Sequence, residues 1–161
     1  AREAEVNVSA INYYFRTKEE MMRQVKEFYL ENTRSITSIL HNDQYDDEEK
    51  LLLAANEIME YCLRFPGISI ILKQAWDFKA EDVASNKIVT ASQEMLGIIE
   101  KLIFSKFRGD VRINKYRYMI FISSLVYPTE NNEIQDFDKS ILTDKENRIE
   151  YLKYLISLLN R

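Results

Sequence analysis

The side chains that could do covalent or metal chemistry are few and scattered. The chain holds one histidine, His41, and one cysteine, Cys62. A closed Cys/His zinc site needs about four such ligands and a disulfide needs two thiols, so one chain can build neither. Asp46-Asp47-Glu48-Glu49 gathers four carboxylates that could hold a cation or exchange protons. The same run suits the start of a helix, where the dipole favours anions, and that is the reading adopted. Ser123-Ser124 has no histidine near it in sequence to serve as a base. His41 reads as a helix-end surface residue and Cys62 as a small core residue. There is no glycine-rich phosphate loop. The chain is therefore read as not an enzyme, with no metal and no cofactor.

Recognition is what remains, and it depends on the elements that present the side chains. The 161 residues are 46% apolar and 30% charged, a globular balance. Against 26 acidic residues stand 22 Lys and Arg, leaving a net charge of −4. That is too mild to point to nucleic acid or to exclude it. Three glycines and two prolines offer little turn chemistry for strands, so the fold class expected is all-α. No apolar run approaches the ~20 residues of a membrane span, and no signal-peptide pattern opens the chain. With a single cysteine, this places the protein in the cytoplasm. AREAEV begins as if in mid-helix, without Met or cap, so a natural beginning is expected upstream.

Caps mark the elements. Residues 1–5 read as a helix tail and Asn7-Val8 as a turn. Ser9 caps a short helix of about 10–15. Thr17 and Glu20 form a capping box that opens a helix to about Leu40. In it Met21, Val25, Phe28, Tyr29, Thr33 and Ile36 recur at helical spacing. A polar connection over 41–47 leads to a helix from about Asp47 to Phe65. Pro66-Gly67 stops it and restarts a short helix through Trp76. A long helix follows over about 81–108, ended by Gly109-Asp110. Residues 113–127 favour strand by propensity. Ile113, Tyr116, Ile120 and Tyr127 nevertheless keep near-helical spacing, and a helix closed by Pro128 is expected. PTENNEIQDF reads as a loop. Thr143 and Glu146 form a second capping box, opening a terminal helix to Arg161.

The first 22 residues, AREAEVNVSAINYYFRTKEEMM, resemble the helix-turn-helix of the tetracycline-repressor (TetR) family of bacterial transcriptional regulators. The matching pieces are AREA-V, the recognition-helix run SAINYYF, and TKEEM. Tyr13-Tyr14-Phe15 followed by Thr17-Lys18-Glu19-Glu20 is the most specific part. The family's first helix and the start of its second are not in the chain, Glu5 stands where a turn glycine is usual, and Asn12 replaces a common Tyr. The resemblance implies an N-terminally incomplete DNA-binding region with its connecting helix over 1–40. It implies a helical-bundle ligand-binding and dimerisation domain over 41–161. It places Asn7, Val8, Ser9, Ala10, Asn12, Tyr13, Tyr14 and Lys18 against operator DNA. Chemistry accommodates these roles. Asn can pair bidentately with adenine, the first turn of a recognition helix enters the major groove, and Lys18 beside free helix-terminal N–H groups suits a phosphate. Yet residues 1–40 carry six basic and six acidic side chains, so there is no basic stripe.

For the larger domain the resemblance implies a cavity and an interface. Tyr61, Cys62, Phe65, Trp76, Phe78, Met95, Ile99, Tyr118 and Phe121 are the candidate lining of a small-molecule effector site. Plain core packing is the competing account of each. The terminal helix and the helix over 113–127 are apolar around much of their circumference and must be covered on more than one side. Tyr116, Ile120, Ile149, Leu152, Ile156 and Leu159 are the candidate homodimer face. Together these imply a repressor that binds a palindromic operator as a dimer and is released by its effector. The alternative is a helical ligand-sensing or protein-interaction module that does not bind DNA.

Overall fold

Every described helix except the one that follows Gly67 begins where a Thr or Asp side chain caps its first turn. In the computed structural model, which describes residues 16–132, 134–135 and 137–160, the described residues form seven helices and no strand. They are α1 (Lys18–Leu40), α2 (Asp47–Arg64), α3 (Ile68–Phe78), α4 (Val83–Lys106), α5 (Val111–Glu130), α6 (Lys139–Thr143) and α7 (Lys145–Leu159). The all-α fold class holds. The helix-turn-helix run before Arg16 lies outside the described residues.

Thr17 Oγ1 accepts the Glu20 N–H at 3.1 Å. The other half of that box is not made, because the Glu20 carboxylate is taken by Arg23 and Gln24. The acidic run at 46–49 is a complete capping box. Asp46 accepts the N–H groups of Glu48 and Glu49, and Glu49 accepts the Asp46 N–H. Those backbone donors hold the Asp46 carboxyl below its ordinary range. Its work is to start α2. Gly67 takes φ +84° between α2 and α3, a left-handed conformation that a side chain would strain.

Two expectations fail at the far end of the chain. Pro128 does not close the fifth helix, which runs on to Glu130. Proline lacks the N–H that would bond the carbonyl four residues back. That carbonyl, Ser124 O, instead accepts the Tyr151 hydroxyl at 2.8 Å. Thr143 does not cap the last helix. It ends α6, its hydroxyl donating to Lys139 O at 2.8 Å, and Asp144 caps α7 through the N–H groups of Glu146 and Asn147. Removing the Tyr151 hydroxyl with Tyr151→Phe is expected to cost about 1 kcal/mol. In a Pro128→Ala background the new N–H competes for Ser124 O, so the cost should shrink. A double-mutant cycle by urea denaturation measures this, and equal costs in both backgrounds would contradict it.

Helix α2 is the hub, packed on α1, α4, α5, α6 and α7. Its Leu51, Ala55 and Met59 meet Ile99 and Ile103 of α4, Phe121 and Leu125 of α5, and Leu152 and Ile156 of α7 in the main core. A smaller core joins Tyr29, Tyr61, Ala75, Ile88 and Val89. Between these two cores the packing leaves a void.

Candidate ligand cavity

Five helices converge on a cavity of about 190 Å³. Tyr29, Asn32, Thr33 and Ile36 of α1 form one wall, with Ser92, Met95 and Leu96 of α4 beside them. Opposite stand Ile58, Tyr61 and Cys62 of α2, Ile68, Ser69 and Leu72 of α3, and Ile122, Leu125, Val126 and Glu130 of α5. Ser69 and Glu130 are the exposed lining residues, which puts the mouth between the start of α3 and the end of α5.

Part of the wall's polarity is spent within the wall. Tyr29 Oη and Ser92 Oγ share a hydrogen bond of 3.1 Å, and Thr33 Oγ1 donates to Tyr29 O at 2.9 Å. Tyr61 is 8% exposed, and its hydroxyl is the one fully buried side-chain polar atom among the described residues without a partner. Burial pushes it well above the ordinary tyrosine range, with Tyr29 and Cys62 adding to the effect. Phe28 and Phe65 pack on the ring with centroids 5.8 and 5.2 Å away. Burial also pushes the Cys62 thiol up to about 11. It stays protonated at neutral pH and is a poor nucleophile. An unpaired buried hydroxyl carries a desolvation penalty. Tyr61→Phe should therefore leave the empty protein as stable as before or more stable, by up to about 1 kcal/mol. A loss of stability in a thermal melt would contradict that.

Of the nine residues proposed from sequence to line a ligand site, Tyr61, Cys62 and Met95 line this cavity. The others do not. Ile99 and Phe121 are fully buried in the main core, where neighbouring side chains leave no space at them, and Tyr118 packs against that core from its edge. Trp76 and Phe78 are half exposed on the outer side of α3, because Ala75 is the residue that α3 turns inward. Phe65 lines a separate open groove between α1 and the α2–α3 turn. Sequence reading missed the α1 wall. Its signal was Thr33, the one polar member of an apolar stripe.

Asn7, Val8, Ser9, Ala10, Asn12, Tyr13 and Tyr14, which the resemblance placed against DNA, lie outside the described residues. Lys18 is exposed at the first position of α1. No protein-family model, curated protein or solved structure matches the chain.

The candidate dimer residues divide. Tyr116 and Ile120 are exposed on α5, and Ile149 is half-buried. Leu152, Ile156 and Leu159 are buried within the chain itself, so they cannot meet a second copy. The two apolar stripes of α5 explain the division. Asn114, Phe121, Leu125 and Thr129 face the core. Ile113, Tyr116, Met119, Ile120 and Tyr127 face outward. The spacing that identified this helix in the sequence belongs to the outward stripe. That stripe borders an open apolar hollow of about 630 Å³ shared with Ile141 of α6 and Tyr151 of α7. On α7, Tyr154 and Leu158 stand exposed three and seven positions beyond Tyr151.

Two side chains, Tyr29 and Lys26, tie α1 to α4 and its cap. Tyr29 meets Ser92. Lys26 Nζ lies 2.6 Å from Asp82 Oδ2 and 3.1 Å from Ser85 Oγ. Lys26 and the Ser85 hydroxyl hold the Asp82 carboxyl well below the carboxylate range. Among the described residues no helix is long and apolar enough to cross a membrane.

Proposed function

We propose that the protein is a ligand-responsive transcriptional repressor that binds a palindromic operator as a homodimer. The observation that carries this reading is the path of α1. Its first turn adjoins the segment that resembles a TetR helix-turn-helix, and its middle supplies Tyr29, Asn32, Thr33 and Ile36 to the cavity. A helix of 23 residues spans about 35 Å, so one rigid element joins the two sites. Through Lys26–Asp82 and Tyr29–Ser92 it is bound to α4, and the cavity lies where that pair meets α2, α3 and α5. A molecule in the cavity moves α1 against α2 and changes the separation of the two recognition helices of a dimer. Operator sites about 34–36 Å apart accept one separation and not the other. Ligand and DNA then weaken one another by the same factor.

Footprinting the full-length protein on the DNA upstream of its own gene tests the reading. A protected palindrome that survives competitor DNA and moderate salt supports it. Weak binding erased by salt overturns it, and favours a sensing or interaction module without DNA binding, in keeping with the balanced charge of residues 1–40.

A further inference from the structure

We propose that the corner between α4 and α5 docks an acidic segment of a partner protein, one in which carboxylates alternate with apolar side chains. This surface does not depend on the repressor reading. Residues 106–117 hold five cations, Lys106, Arg108, Arg112, Lys115 and Arg117, against one carboxylate, Asp110, in a chain whose net charge is −4. Lys106 pairs with Glu48 at 2.8 Å. Among the described residues the other four form no ion pair. Asp110 is engaged as the cap of α5, accepting the Ile113 N–H at 2.8 Å. Helix α4 has 24 residues and spans about 36 Å, so the corner lies at the far end of α4 from Asp82 and its contact with Lys26.

Two of the guanidiniums are oriented by neutral acceptors. Arg112 Nε donates to Tyr116 Oη at 2.7 Å. Arg117 Nη1 donates to Arg108 O and to Asn114 Oδ1, each at 2.8 Å. Gly109 makes room for that group, since a Cβ there would stand 2.7 Å from Nη1. These bonds order the side chains in advance, which lowers the entropy lost on binding, and they leave the charge unneutralised. Guanidiniums of fixed direction suit carboxylates, which accept two parallel N–H bonds. The surroundings choose among anions. Val111 is 64% exposed and Ile113 42%, and they flank Arg112 in the first turn of α5. A phosphate backbone has no use for them. The acidic start of α2 borders the corner, with Asp47 reached by Ser105 and Glu48 by Lys106. A long polyanion or an anionic bilayer would lie against those carboxylates as well, and like charges oppose it. A short segment can meet the arginines and the two apolar side chains alone.

Fluorescence anisotropy of a short labelled peptide that repeats Glu-Glu-Leu, titrated with the whole chain at low salt, tests the assignment. It is expected to bind at least about tenfold tighter than a peptide that repeats Gln-Gln-Leu or one that repeats Glu-Glu-Ser. Arg108→Glu/Arg112→Glu should weaken it by about tenfold or more. Both side chains are exposed, so the fold is kept. Lys73→Glu/Lys87→Glu makes the same change in net charge at exposed positions elsewhere and should cost less than about threefold, because distant surface charges are screened. Failure of the Glu-Glu-Leu peptide to bind overturns the docking site. So does equal binding of either comparison peptide to the unaltered protein, and so does a lysine pair that weakens binding as much as the arginine pair. Tighter binding of random-sequence duplex DNA, or of vesicles of phosphatidylglycerol and phosphatidylcholine in equal parts, that is lost in Arg108→Glu/Arg112→Glu would assign the corner to that partner and overturn the acidic segment.

Discussion

Arg148→Ala is expected to destabilise the protein by about 3–5 kcal/mol, a large share of the 5–15 kcal/mol typical of a domain. Arg148 is 4% exposed, and its guanidinium closes three contacts at once. Nε donates to Asn56 Oδ1 at 2.9 Å, Nη1 to Leu142 O at 2.7 Å, and Nη2 to Glu60 Oε2 at 3.2 Å. The first two acceptors are the costly ones. Asn56 is 2% exposed, and Leu142 O belongs to the last turn of α6, where a helix leaves its carbonyls without internal partners. Truncation strands both, at about 1–3 kcal/mol each, and removes the buried stem as well. Glu60 matters less, since it is half-buried and also bound by Arg64 at 2.6 Å. Glu60→Gln should therefore cost under about 1 kcal/mol. Arg148→Lys should recover only part of the loss, because a point charge cannot make three divergent bonds. Urea denaturation with an unchanged slope is the measurement. A loss below 1 kcal/mol for Arg148→Ala would show that α6 and α7 are held by apolar packing alone.

Arg148 also marks the limit of what the sequence could tell. In KENRIEYLK it reads as one more charge on a solvated helix, and only the partners brought from α2 and α6 make it a buried clamp. Local features fared better. The all-α class was legible because few glycines and prolines leave strands little turn chemistry. The helix starts at Thr17 and near Asp46 were legible because a cap acts on its own next turn. Pro128 misled because its cost depends on whether some other group takes the freed carbonyl of Ser124, and Tyr151 lies 27 residues beyond Ser124. Thr143 misled because Asp144 next to it is an equally good cap, and the choice between them depends on α6, which has only five residues and no periodicity to read.

The cavity was half legible for a related reason. Tyr61, Cys62 and Met95 are large or adaptable residues on inward faces, and spacing can find those. Whether such a residue lines a void or fills one depends on the neighbouring helix. Phe121 and Tyr61 look alike in sequence. Phe121 is enclosed by the main core, whereas Tyr61 stands at the seam between two cores, with a hydroxyl nothing else satisfies.

The second large effect is expected on the outward stripe of α5. Met119 is 62% exposed and Ile120 52% exposed, and neither supports the core. The double change Met119→Glu/Ile120→Glu should leave the melting temperature of the monomer fold within a few degrees of the original. It should raise the dissociation constant of the proposed homodimer by about 10⁴-fold or more. The magnitude follows from symmetry. A two-fold interface presents every residue twice, so two substitutions bury four carboxylates without partners, each costing more than the ~1.4 kcal/mol that corresponds to a tenfold change. Sedimentation of the purified protein at micromolar concentration reads the change directly. The comparison that isolates it is Leu152→Ala, a residue fully enclosed by its own chain. That variant should lose about 2–5 kcal/mol of fold stability and keep its monomer–dimer equilibrium in the population that remains folded. The two variants thus exchange effects, one acting on association and the other on folding. If the α5 variant dimerises like the original, the outward stripe is not the interface.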